Sequence, residues 1–174
     1  MDHMRILGID PGLIRTGYGV IEASGPERMK LIEAGIIKTS SEEGISKRVR
    51  DIYENLSDVI KEHAPSVAVL EKLYSHYKHP ATSILMGHAR GVVCLALGMS
   101  GIELLSLPST RIKKVITGNG QAKKEQVQRM VKTLLGLSVP PSPFDVSDAL
   151  AMAISYVYIR GKGNRFCGSE AHGS

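Results

Sequence analysis

RILGIDPGLIRTGYGVIE, residues 5 to 22, is the stretch on which the fold turns. Arg5 to Asp10 is an apolar run that ends in an acid and is broken by Pro11-Gly12, so it reads as a strand running into a turn. Thr16 to Glu22 reads as a second strand, and Lys30 to Lys38 as a third. Between them, Ala23 to Glu27 holds Gly25-Pro26 and reads as a turn. Three strands with such short connections predict an antiparallel meander.

Further along, Ile45, Val49, Ile52, Leu56, Val59 and Ile60 fall on one stripe at helical spacing, which predicts a helix over Glu42 to Glu62 that Pro65 stops. Ser66 to Glu71 is a β-branched apolar run, hence a buried strand. Pro80 to Met99 reads as a helix rich in small residues, and Ile102 to Leu107 as a fifth strand. A short helix over Pro108 to Ile116 has Ser109 or Thr110 as candidate caps. Helices over Lys123 to Leu135 and Phe144 to Arg160 follow, separated by a proline-rich loop. The order predicts an α/β fold with a five-stranded mixed sheet, three strands antiparallel and two parallel, and helices on both faces. One domain over residues 1–160 is expected, with a polar, glycine-rich tail at 161–174 that should be disordered.

Composition fits a globular domain: 43% of the 174 residues are hydrophobic and 22% charged, which argues against disorder. The net charge of +5 favours an anionic partner only modestly. Its distribution says more. From Glu103 onward ten Lys and Arg face five acids, two of which are Asp145 and Asp148. Without that pair the stretch is strongly basic, as a nucleic-acid surface or simply a solvated one would be. Aromatics are 5% and Trp is absent, so grip on a nucleic acid would lean on charge more than on stacking. Cys94 lies in an apolar run and Cys167 in a polar tail, so no disulfide is expected and a reducing compartment fits. The start shows no signal-peptide pattern, and the apolar stretch from Gly91 to Leu107 is too short and mixed to span a membrane; a cytoplasmic protein is expected.

Four acids stand out. Asp10 and Glu71 close two strands, and Asp145 and Asp148 share a face of the last helix at i and i+3. In open α/β sheets function gathers at the carboxyl ends of strands. Four carboxylates in one place need compensation, and a pair of hard divalent cations supplies it. Each acid also has a plainer reading. Asp10 could initiate the Pro11-Gly12 turn, Glu71 could pair with an Arg, and Asp145 suits a helix's first turn. Asp148, a turn further in, has less excuse. His76 and His79 find no Cys or His to complete a zinc site.

The ordered motifs resemble one family along nearly the whole chain, from Arg5 to about Arg160. They are GIDPG (Gly8 to Gly12), TGYGV (Thr16 to Val20), a strand ending in Glu71 followed by Tyr74, GHARG (Gly87 to Gly91), TGNGQAKKEQVQRMV (Thr117 to Val131) and DVSDALAMA (Asp145 to Ala153). Together they resemble the RuvC-type Holliday junction resolvases. The resemblance implies a ribonuclease H-like fold, a homodimer and cutting of four-way DNA junctions with Mg²⁺ or Mn²⁺. It implies that Asp10, Glu71, Asp145 and Asp148 are the catalytic metal ligands, two ions per site, and that Tyr74 stands where the family usually carries an aromatic, most often Phe, beside the branch point. It places functionally important lysines at Lys113 and Lys124, with the assignment open within the pairs Lys113/Lys114 and Lys123/Lys124. Arg111, Arg129 and Lys132 would extend the grip on phosphates. Gly87, Arg90 and Gly91 would pack either against the sheet or against a second subunit. A branch-migration helicase is the implied partner, and no membrane. The rivals are a ribonuclease acting on RNA–DNA hybrids, a non-catalytic junction-binding protein, and a kinase-like or actin-like ATPase fragment suggested by GIDPG alone, for which 174 residues leave no second lobe.

Overall fold

The computed structural model describes residues 3–72 and 80–167. Five strands form one sheet in the order β3-β2-β1-β4-β5: β1 (Met4–Asp10), β2 (Arg15–Gly25), β3 (Arg28–Lys38), β4 (Val67–Glu71) and β5 (Glu103–Leu107). The first three pair antiparallel, and β4 and β5 add in parallel to β1, as the chain order predicts. Helices α1 (Ile45–His63) and α2 (Pro80–Met99) connect the parallel strands, and α3 (Ser109–Thr117), α4 (Lys124–Leu134) and α5 (Phe144–Cys167) follow.

Strand alternation sends side chains to two separate cores. Leu7, Ile9, Val20, Ala68 and Leu70 pack with Ile52 and Leu56 of α1 and Val93 and Leu97 of α2. Ile6, Ile21, Val67 and Val69 pack with Ile112, Val127 and the inner side of α5. The predicted stripe of α1 is buried at Ile52, Leu56, Val59 and Ile60, but Ile45, at the helix's first turn, is exposed.

α5 is apolar nearly all round because it lies between the sheet and the α3–α4 pair, burying Val146, Leu150, Met152 and Ile154. It reaches the sheet through glycine. A Cβ at Gly8 would fall on the carbonyl oxygen of Ala149, and one at Gly17 on that of Asp145. Backbone therefore meets backbone where α5 crosses β1 and β2.

The structure departs from the sequence reading in several places. α5 does not stop at Arg160 but runs through the first part of the expected tail to Cys167; glycine weakens a helix without ending it, and Gly161 packs against Pro26. α3 is capped by Pro108 in an extended conformation, with no side-chain cap bond from Ser109 or Thr110. And Thr82–Met99 is, by length and composition alone, long and apolar enough to cross a membrane, where the sequence reading found no such span. In this fold one side of that helix is buried, at Ala89, Val93, Ala96 and Leu97.

Candidate active site

Parity along the strands places the first two acids. Gly8 faces α5, so Asp10, two residues on, faces the same way. Val67 and Val69 face that side too, so Glu71 does as well. The register pairs Ile9 with Leu70, which sets Asp10 and Glu71 at matching ends of adjacent parallel strands. α5 then brings Asp148 over them. Asp10, Glu71 and Asp148 line one cavity of about 280 Å³ with Lys113, Lys124 and Arg90. Asp145 is not in that lining; it stands beside it, with Arg15 Nε 3.9 Å from its carboxylate.

The electrostatics are those of crowded, desolvated acids. Burial, then the charges of Asp148 and Asp145, push the Asp10 carboxyl up to about 7. Burial and then Asp148 also raise Glu71, against the pull of Lys113 and a hydrogen bond from Ser109. Asp148 is raised by burial, offset in part by Lys124, whose Nζ lies 3.2 Å from it. Lys124 in turn is raised, chiefly by Asp148. So Ser109, expected to cap a helix, instead stands beside Glu71 at the cavity wall.

Of each lysine pair, geometry selects one. Lys113 and Lys124 line the cavity; Lys114 and Lys123 do not. Arg111 and Arg129 are exposed on α3 and α4, and Lys132 is half-buried on α4, all outside the cavity. Arg90, expected on a packing face, turns inward to the cavity. Gly87 and Gly91 have nothing within 4 Å of a built Cβ, so they do not pack inside the fold. Tyr74, His76 and His79 lie outside the described residues. Sequence reasoning missed Arg15, Ser109 and the inward turn of Arg90. Arg15 had a signal, its place between the GIDPG turn and TGYGV, whereas nothing in local pattern marks Ser109 as a partner of Glu71.

The donor set is all hard oxygen, which suits Mg²⁺ or Mn²⁺. Among the described residues no three of the four acids bring ligand atoms within 4.8 Å of one another, so the cluster is wider than a cage for one ion. Glu33, Glu62 and His63 do reach that spacing. They lie on the α1 side of the sheet, however, where Glu33 and His63 are bonded to each other. Tyr18 donates to Glu33 at 2.5 Å, His63 Nε2 lies 2.7 Å from its other oxygen, and Arg5 donates to the His63 carbonyl at 3.0 Å. The bonds from Tyr18 and His63 hold the Glu33 carboxyl below its ordinary range. These bonds tie the end of α1 to β1, β2 and β3.

Comparison with known proteins identifies the family. The family model described as crossover junction endodeoxyribonuclease RuvC matches residues 6–156. A protein of that description from Rhodopirellula baltica is 49% identical over 154 residues, covering 88% of this chain and 86% of its own length. The structure of Thermus thermophilus RuvC in complex with a Holliday junction substrate superposes with a TM-score of 0.87 at 30% identity, covering 92% of this chain and 97% of that one. The yeast mitochondrial Holliday junction resolvase Ydc2, at 14% identity and a TM-score of 0.68 over 94% of this chain and 83% of its own, shares the fold.

Proposed function

We propose that this chain, which belongs to the RuvC family of crossover junction endodeoxyribonucleases, resolves four-way DNA junctions by metal-dependent hydrolysis of one phosphodiester per active site. The observation that carries the reading is the convergence of Asp10, Glu71 and Asp148 on one cavity flanked by Lys113 and Lys124. Asp10, Glu71, Asp148 and Asp145 would hold two Mg²⁺ ions, with Mn²⁺ able to substitute. Bound there, the ions supply an activated water and charge for the leaving 3′ oxygen, leaving 5′-phosphate and 3′-hydroxyl ends.

The chain's own residues do the rest. Asp10, whose carboxyl is pushed up to about 7, must give up its proton to ligate. Lys124, paired with Asp148 at 3.2 Å, offsets that charge and then meets the incoming phosphate. Lys113 does the same beside Glu71. Arg111, Lys114, Lys123, Arg129 and Lys132, carried on α3, α4 and the loop between them, hold flanking phosphates. Tyr74 belongs to this proposal on the family resemblance alone, as the aromatic beside the branch point.

Two cuts on two strands call for two sites, and a two-fold homodimer supplies them. The outward side of α2 supports this pairing. Ile84 is 62% exposed and Met99 70%, with Leu85 and Leu95 also exposed on this helix and the gaps of Gly87 and Gly91 between. A branch-migration helicase as upstream partner rests on the family resemblance alone.

The test offers the protein a synthetic four-way junction, a linear duplex and an RNA–DNA hybrid, with and without Mg²⁺. Paired, symmetric nicks on the junction alone are expected, lost in EDTA. Cutting of the hybrid alone would make the protein a ribonuclease, and junction binding with no cut in any metal would make it a non-catalytic binder. Junction affinity should also fall by about a thousandfold between 50 and 200 mM salt, the slope of a protein neutralising about six phosphates. A flat salt response would contradict the role given to the lysines.

A further inference from the structure

Arg90 does something that neither a packing face nor a subunit seam requires. Its Nη1 donates to the backbone carbonyl of Glu71 at 2.7 Å, and its Nη2 to the Ser106 hydroxyl at 3.0 Å. Glu71 is the last residue of β4, and Ser106 sits on the neighbouring strand β5. The pairing of β1 with β4 ends one residue earlier, at Leu70, so on that side no strand partner extends to Glu71. On the other side, Glu71 faces Leu107 and the amide of Lys72 donates to the Leu107 carbonyl at 2.8 Å. The guanidinium thus bridges the ends of two strands from a third element, α2, with two donors of one rigid plane.

We infer that Arg90 is a positioning residue for Glu71, fixing the end of β4 so that the carboxylate meets its metal ion in one geometry. The inference rests on the reading of the four acids as metal ligands. Partners that orient a ligand are worth about tenfold to a hundredfold in metal affinity. Arg90 also lines the cavity, so its positive charge opposes a bound cation. The two effects have opposite signs. If charge dominated, removing the guanidinium would tighten metal binding; if positioning dominates, removal loosens it.

The experiment measures Mn²⁺ binding to the full chain by electron paramagnetic resonance of the free ion, without DNA. Wild type, R90M, R90K, D10N and E71Q are compared, together with junction affinity in EDTA and thermal melting of each. R90M should bind Mn²⁺ about tenfold more weakly. R90K, which keeps a donor but not the planar fork, should lie between R90M and wild type. Junction affinity in EDTA should stay within about twofold for both, since the phosphate-binding lysines are untouched. A merely structural Arg90 would lower the melting temperature and leave Mn²⁺ affinity alone, and that result overturns the inference. Unchanged or tighter Mn²⁺ binding in R90M also overturns it. If R90M does not fold, R90K decides: wild-type affinity there counts against the inference, and weaker binding with EDTA-state junction affinity retained supports it. Wild type binding no more Mn²⁺ than D10N and E71Q would instead sink the metal-site reading itself, whatever Arg90 does.

Discussion

Asp10→Asn should abolish junction cleavage and at the same time make the metal-free protein more stable. The activity loss follows from removing a carboxylate proposed to ligate the metal at the centre of the site. A metal contributes several kcal/mol of transition-state stabilisation, so cleavage should fall by about a thousandfold or more, while junction binding in EDTA persists. The stability gain follows from the environment of Asp10. Its carboxyl, ordinarily near 3.8, is pushed up to about 7 by burial and by Asp148 and Asp145. Between those two values the folded state holds a proton that the unfolded state has lost, so Asp10 makes the protein less stable as pH rises. Above 7 the full cost is present, on the order of 2–4 kcal/mol at about 1.4 kcal/mol per pH unit, allowing for relaxation around the charge. Asparagine carries no charge and escapes it. Melted in EDTA at pH 8, D10N should therefore exceed wild type by several degrees, and the two curves should converge near pH 4. Saturating Mg²⁺ should close or reverse the gap, because the ion stabilises only the protein that binds it. Equal melting temperatures at pH 8 would mean that Asp10 is not strained by its neighbours. Substantial cleavage by D10N would remove it from the mechanism.

Gly8→Ala should be the most damaging single methyl in the protein. The new Cβ would fall on the carbonyl oxygen of Ala149, a backbone atom of α5 that no rotamer change can move. Overpacking usually costs about 1–3 kcal/mol when side chains can yield. Here a whole helix must lift, so a loss on the order of 4 kcal/mol or more is expected, a drop in melting temperature of roughly 10 °C for a chain of this size. Because α5 carries Asp145 and Asp148, lifting it also pulls two acids away from Asp10. Any G8A protein that still folds should bind Mn²⁺ poorly. A variant that melts within about 2 °C of wild type and cuts normally would show that α5 and β1 are not in the contact described.

Much of this was legible in the chain because alternation and helical stripes are local signals. The run RILGID announced a strand, and parity alone put Asp10 and Glu71 on one face once β1 and β4 were paired. Other features were set by phase and by partners distant in sequence. Lys113 and Lys114 look alike in sequence, yet only Lys113 reaches the cavity, because one residue turns a helix by about 100°. Ser109 has the chemistry of a cap, but it makes no cap bond and lines the cavity beside Glu71. The small residues of α2 left open whether they packed inward or outward; space around Gly87 and Gly91 answers that, while Arg90, between them, turns the other way. Asp145 stands outside the cavity lining, with Arg15 near it, yet its charge still reaches Asp10.

The glycine-floored seat of α5 also sets a timetable. Asp10 leaves the ribosome early and Glu71 soon after, but Asp148 is translated nearly the whole fold later and reaches them only when its helix docks. A nascent chain, or a fragment cut short before α5, holds two of the four acids and lacks the helix that covers them. Completion of the polypeptide through α5 is therefore the step that brings the acids together.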